Sequence, residues 1–250
     1  MKVELLSIDA IKATLQGYWR VSVKDEVSST MNEINKSDTQ FWDLVVAEFQ
    51  SDGRGRVERK FDSPKHCGLL FSFYIEPNRN KKDWGFISLL AGKVVAQTLQ
   101  ELAPQCEFKT KWPNDVLVAG KKIAGLLVET HNSGVIIGIG INISTSQTEL
   151  PVPTATSLFL ESNQVFDRNL VLSKILNKFR EVFITWDGGG NFVNGYIASS
   201  ATIGASVKVQ LPGDKELTGK AIGISQSGAL ILDGDREVTV GDVIHLEPLK

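Results

Sequence analysis

The first half of the chain alternates apolar runs with abrupt polar stops. WDLVVAEF (42–49) is apolar and β-branched and ends in a glycine-rich stretch. LLFSFYI (69–75) is aromatic, partly alternating, and closed by Glu76-Pro77. Both predict strands. In ISLLAGKVVAQTLQEL (87–102) the period lengthens: Leu90, Val94, Thr98 and Leu102 recur at steps of four, the face of a helix that Pro104 closes. Short strand-like pieces follow at NDVLVAG (114–120), IAGLLVET (123–130) and GVIIGIGINI (134–143), with Gly120 starting a turn before Lys121-Lys122. A second helix is predicted from about Asp167, with Leu172, Ile175, Phe179, Val182 and Trp186 on one face and Gly188-Gly189-Gly190 as its breaker. Near the start, VSSTMNEI (27–34) contains a capping box from Thr30 to Glu33 that opens a helix and leaves the hydroxyls of Ser28 and Ser29 unexplained.

After Gly204 the texture changes. SVKVQL, ELTGKAIGIS, ALILD, REVTV and VIHLEP are short strands separated by turn signals at Pro212-Gly213, Ser227-Gly228 and Asp233-Gly234. They predict a small all-β barrel of about 45 residues, a size that is marginal alone and so packs on a larger domain. The expected division is 1–203 and 204–250, and the fold class is α+β.

Composition narrows the function. With 250 residues and a net charge of −2, the chain lacks the basic field that general nucleic-acid coating needs, so anion binding must be local. Its longest apolar runs are well short of a membrane span. Cys67 and Cys106 form no CxxC or zinc-type spacing and no signal peptide precedes them, which makes a reducing cytoplasm the expected compartment. We expect both cysteines to be reduced structural residues.

Two stretches carry candidate chemistry. GRGRVERKF (53–61) follows a strand that its glycines cannot easily continue; glycine allows close approach to a ligand, and arginine forks bind carboxylate or phosphate at two points. Composition alone leaves it evenly balanced between a solvated basic turn and an anion cradle. It matches neither the GK[ST] phosphate loop nor GxGxxG. KTKWPNDVLV (109–118) places Lys111, Asn114 and Asp115 within five residues beside a strand, either an ordinary charged hairpin turn or a cation with oxygen ligands of the kind magnesium prefers. Asn142 sits between Ile141 and Ile143, so a buried amide must find a structural hydrogen bond or a ligand. His66, His131 and His245 form no triad with a serine elbow and are expected on the surface or in loops.

Taken together these motifs resemble the biotin protein ligases. The family pattern GRGRxxRxW stands here as GRGRVERKF and KWPND is intact at 111–115; SST at 28–30, Gln50, SP at 63–64, KIAGLLVE, GIGINI and ATSL at 155–158 fall in register. The resemblance implies a mixed sheet with helices, of the class II aminoacyl-tRNA synthetase type, followed by an SH3-like barrel. It implies that ATP, with magnesium, activates biotin to biotinyl-5′-AMP, and that a lysine of a biotin carboxyl carrier domain then takes the biotin. Ser29, Thr30 and Gln50 would hold the polar head of biotin. Gly53, Arg54 and Arg56 would belong to the loop closing over biotin and adenylate, and Gly125 would let the strand approach the ligand. Arg59 would serve the ATP phosphates and Phe61 would stack on adenine. Lys111 would be catalytic together with Arg56. Asn114 and Asn142 would contact ATP and Asp115 a magnesium ion.

Two departures stand out: Phe61 replaces tryptophan, and His66-Cys67 follows SPK where a small glycine-containing segment is expected. The SST motif arrives by residue 28, so we expect no DNA-binding domain ahead of it and no DNA-binding activity. The resemblance leaves monomer or homodimer open. The alternatives are a lipoate–protein ligase of the same fold and a non-catalytic ligand-sensing or nucleic-acid-binding module.

Overall fold

A computed structural model describes residues 4–36, 38–56 and 59–246. Seven strands form one sheet: β1 (Arg20–Lys24), β2 (Asp43–Ala47), β3 (Gly68–Ile75), β4 (Phe108–Lys111), β5 (Asp115–Val118), β6 (Lys121–His131) and β7 (Gly134–Asn142), in the order β1-β2-β3-β7-β6-β5-β4. Only β1 and β2 run parallel; the other pairs are antiparallel.

The sheet has two unlike faces, because side chains alternate along each strand. One face carries Leu44, Val46, Phe71, Phe73, Ile137, Ile139 and Ile141 into a core shared with α3 (Phe86–Leu102) and α5 (Arg168–Asp187). The other carries Val45, Tyr74 and Ile136 against Met31 and Ile34 of α2 (Thr30–Asn35). Cover on both faces explains why GVIIGIGIN reads as an unbroken apolar run, with every residue buried. It also places Gly138 and Gly140 on the α2 face, in step with Ile136. Cross-strand register puts Gly125 opposite Gly140, and both Leu127 and Ser72 opposite Gly138. Beside the start of α2, that half of the sheet thus offers a shallow floor with few side chains.

All strands after Gly204 form a second antiparallel sheet, the SH3-like β-domain: β8 (Ser206–Leu211), β9 (Lys215–Ile224), β10 (Leu230–Leu232), β11 (Arg236–Val238) and β12 (Asp242–His245), ordered β11-β10-β9-β8-β12. Its turns fall at the expected dipeptides, where Gly213, Gly228 and Gly234 take positive φ. The end of the run VIHLEP lies outside the described residues.

Several elements escaped the periodic pattern: α1 (Ile8–Thr14), β1, β4, α4 (Leu158–Ser162) and α6 (Val193–Ile197). Each is short or buries little; α1 hides only Ile11. The capping box is corrected. Ser29, not Thr30, is the N-cap of α2, and it makes no side-chain capping bond. The Thr30 hydroxyl is committed elsewhere. The histidines are also corrected in part, since His131 ends β6 and His245 ends β12, where its Nε2 is buried with no hydrogen-bond partner among the described residues. Burial, and then the Lys111 cation, push the His245 imidazolium down to about 4. Both cysteines are free. Among the described residues no helix is long and apolar enough to cross a membrane.

Candidate active site

A cleft opens on the glycine floor, walled by the start of α2, the loop from Gly53 to Phe61, the turn between β4 and β5, and the β-domain at Asp242-Val243. Its polar end is built at Thr30. The Thr30 N–H and hydroxyl both donate to Gln50 Oε1, at 2.7 and 2.9 Å, and Thr30 Oγ1 lies 2.7 Å from Ser72 Oγ. With its single proton on Gln50, Thr30 must accept from Ser72. The Gln50 amide N–H groups are thereby turned away from Thr30, and Ser29 lines the same wall. Met31, Leu127 and Gly138 supply an apolar stretch beside this end.

The loop closes on itself at its base. Gly55 N–H donates to Arg59 C=O and Phe61 N–H to Gly53 C=O, at 2.7 and 2.9 Å. Gly53 has no room for a side chain, because an added Cβ would lie 2.3 Å from the Phe61 carbonyl oxygen. That is why glycine stands there, and Gly53 itself does not line the cleft. Val57 and Glu58 of this loop lie outside the described residues. The Phe61 ring rests on the glycine floor, with its atoms 2.6 to 2.8 Å from where a Cβ on Gly140 would be and 3.5 Å from one on Gly125.

Six cations line the cleft: Arg54, Arg56, Arg59, Lys60, Lys111 and Lys122. Four have carboxylate partners. Arg54 grips Glu129 with both terminal nitrogens, at 2.5 and 3.0 Å. Arg59 pairs with Asp242 of the β-domain, Lys60 with Asp52 at 2.8 Å, and Lys122 with Asp115 at 2.6 Å. Among the described residues, Arg56 and Lys111 have no ion-pair partner, and both are half-buried. Burial holds the Lys111 ammonium below its ordinary range, Lys122 and Arg59 push it further down, and Asp115 opposes them. Burial likewise lowers Arg56, with Asp115 opposing and Arg59 adding. Two desolvated cations whose nearby carboxylate, Asp115, is already paired with Lys122 are costly, and an anionic ligand would lower that cost.

The expected residues therefore mostly converge. Ser29, Thr30, Gln50, Arg54, Arg56, Arg59, Phe61, Lys111, Asn114, Asp115 and Gly125 line one cleft. Asn142 does not. Its amide donates to the Thr156 carbonyl at 2.9 Å, which is the structural bond that a buried amide needs. Asn114 also spends its amide on structure, donating to Leu126 C=O at 2.7 Å. Charged groups at the site that the sequence reading missed include Lys122, Glu129 and Asp242. Lys122 was given no role in the site, although it opens the run KIAGLLVE and stands three residues before Gly125. Glu129 shares the face of Gly125 and Leu127 by strand period, a signal that was available. Asp242 comes from the other domain, and no local signal could have found it.

Comparison with known proteins places this geometry. Residues 22–145 match the biotin/lipoate A/B protein ligase family and residues 202–246 match the biotin protein ligase C terminal domain. The chain is 36% identical over 210 residues to a biotin–[acetyl-CoA-carboxylase] ligase of Mycobacterium tuberculosis, covering 81% of this chain and 79% of that protein. It is 31% identical over 243 residues to the bifunctional ligase/repressor BirA of Salmonella typhimurium, covering 93% and 75%. The biotin protein ligase of Aquifex aeolicus, solved in complex with biotin and ATP, aligns with a TM-score of 0.78 and 30% identity over 91% of this chain and 98% of that one.

Proposed function

This chain belongs to the biotin protein ligase family and is a ligase of that kind, and we propose that the cleft described above is where biotin and ATP react. The observation that carries this is a pair of half-buried cations, Arg56 and Lys111, that have no ion-pair partner among the described residues and are set beyond a polar-headed apolar slot. Joining a carboxylate to an α-phosphate brings two anions together, so fixed positive charge at the meeting point lowers the barrier. The polar head of biotin would lie at Thr30 and Gln50, with its rings against Met31, Leu127 and Gly138. Its carboxylate would reach Arg56 and Lys111.

In the first step a biotin carboxylate oxygen bonds to the α-phosphorus as the bond to the pyrophosphate oxygen breaks. Lys122 and Arg59, held by Asp115 and Asp242, line the same cleft and would exchange those carboxylates for the phosphates, and Phe61 would offer its ring to adenine. In the second step the ε-amine of a carrier-domain lysine attacks the acyl carbon, loses its proton, and AMP leaves.

Among the described residues no three His, Cys, Asp or Glu side chains gather as a metal cage. The donor set fits magnesium only in its habit of riding on phosphates with one or two carboxylates, and Asp115 would be the protein's oxygen there. Magnesium would supply charge neutralisation on ATP.

The test is incubation with ATP, magnesium, an apo carrier domain, and either biotin or lipoate, followed by intact-mass measurement. A gain matching biotin supports the proposal. Transfer of lipoate and not biotin would overturn the substrate, and transfer of neither would overturn the activity.

A further inference from the structure

The residues on both sides of Lys111 are held by the segment leading into the β-domain and by that domain itself. Thr110 N–H donates to Ser199 C=O at 2.9 Å, Ala201 N–H donates to Thr110 C=O at 2.8 Å, and Thr110 Oγ1 lies 3.3 Å from the Ser199 carbonyl. On the other side, Trp112 N–H donates to Thr202 Oγ1 and its indole N–H donates to Gly228 C=O, both at 3.0 Å. Trp112 and Thr202 are buried. Residues 199–202 thus run beside β4 as a further strand would, on the open edge of the large sheet.

The Gly228 carbonyl cannot shift easily. Gly228 has φ +88, and a Cβ there would lie 2.8 Å from backbone atoms of Gly85 and Phe86. Gly85 is wedged in return, its own Cβ position being 2.5 Å from the Ser227 carbonyl oxygen. The turn between β9 and β10 is therefore locked against the start of α3 by two glycines in backbone contact. Trp112 hangs from that turn, next to Lys111.

We propose that Thr202 and Gly228 are positioning residues for the adenylation step, setting through Trp112 where the Lys111 ammonium stands. The proposal rests on the assignment of Lys111 to the reacting centre. Without the Thr202 hydroxyl the Trp112 N–H is buried and unpaired, and the chain at 112 must move to satisfy it. Displacement of a reacting group by about 1 Å costs up to roughly a hundredfold in rate. The biotin-head residues Thr30 and Gln50 sit on other elements and are not disturbed.

The experiment compares Thr202→Val, Thr202→Ser and Trp112→Phe with the parent in biotin-dependent pyrophosphate release. Thr202→Val should lower kcat about ten- to hundredfold and leave the biotin KM within about twofold. Thr202→Ser, which keeps the acceptor, should recover most of the rate. Trp112→Phe, which removes the indole N–H, should lower kcat in the same direction and decides the matter if Thr202→Val does not fold. Parent-like kcat in Thr202→Val, an equal loss in Thr202→Ser, or a loss carried by KM would overturn the proposal.

A parent without biotin-dependent release would instead overturn the assigned activity. Amine-reactive labelling of Lys111, read by peptide mass mapping, then decides: faster labelling in Thr202→Val supports positioning, and an unchanged rate removes it.

Discussion

Replacing Thr30 by valine keeps the shape at the start of α2 and removes one hydroxyl, so its consequences can be followed bond by bond. Gln50 Oε1 loses the 2.9 Å bond but keeps the Thr30 N–H at 2.7 Å. Ser72 fares worse. Its hydroxyl is fully buried and donates to Thr30 Oγ1 at 2.7 Å, so the substitution leaves it without an acceptor. An orphaned buried hydroxyl costs about 1–3 kcal/mol. For a chain of this size each kcal/mol lowers Tm by roughly 2–4 °C, so Thr30→Val should melt lower by roughly 2 to 12 °C. Adding Ser72→Ala removes the orphan and should restore most of that loss, since replacing both partners by apolar groups is nearly neutral. Biotin affinity should behave differently. The group proposed to meet the polar head of biotin is absent from both variants, so KM for biotin should rise about tenfold, or about 1.4 kcal/mol, in each. The assays are thermal unfolding and pyrophosphate release at varied biotin. A double variant that melts no higher than Thr30→Val would refute the hydrogen-bond assignment; a biotin KM that recovers with stability would refute the ligand contact.

Other outcomes follow from the same structure. Lys111→Met should lose about 10²–10³ in adenylation rate while melting no lower than the parent, because it removes a desolvated cation along with the charge proposed to act at the reacting centre; wild-type turnover would take Lys111 out of the site. Glu48→Gln should cost about 3–5 kcal/mol in urea unfolding, since buried Arg168 loses its counter-ion 2.7 Å away. Burial raises the Glu48 carboxyl, but Leu6 N–H, His66 and Arg168 together bring it below its ordinary 4.5. Its contribution is therefore complete above that pH and lost as pH falls through the lower folded value, and the glutamine variant should lack that acid dependence. Gly140→Ala, which brings a methyl against the Phe61 ring, should destabilise by about 1–3 kcal/mol. Phe61→Ala in the same background should relieve the clash, and failure to do so would place the ring elsewhere.

Much of the fold was legible because its signals are local. The long helices announce themselves by apolar positions every three to four residues and by Asp167 and Gly188 at the ends of α5. The turns of the β-domain show as glycines at positive φ. β1 and β4 escaped because each is a short strand on an edge of the sheet, with at most half its side chains buried. Thr30 shows how a local rule misleads: its hydroxyl suits a capping box, yet Gln50, twenty residues away in sequence, accepts its proton, and buried Ser72 lies 2.7 Å from it.

Sequence alone determined which groups could bind an anion, where the backbone would bend, and which strands would carry glycine on a common face. Those depend on residue type and period. Tertiary structure decided which cations were already neutralised and which were left open, because pairing depends on distances between segments such as Arg59 and Asp242, 183 positions apart. It also turned Asn142 into a structural amide and brought the Gly228 carbonyl to the indole of Trp112, the residue after Lys111. GRGRVERKF thus stays a run of interchangeable charges until the fold commits Arg54 to Glu129 and Arg59 to Asp242, while Arg56 and Lys111 keep no ion-pair partner among the described residues.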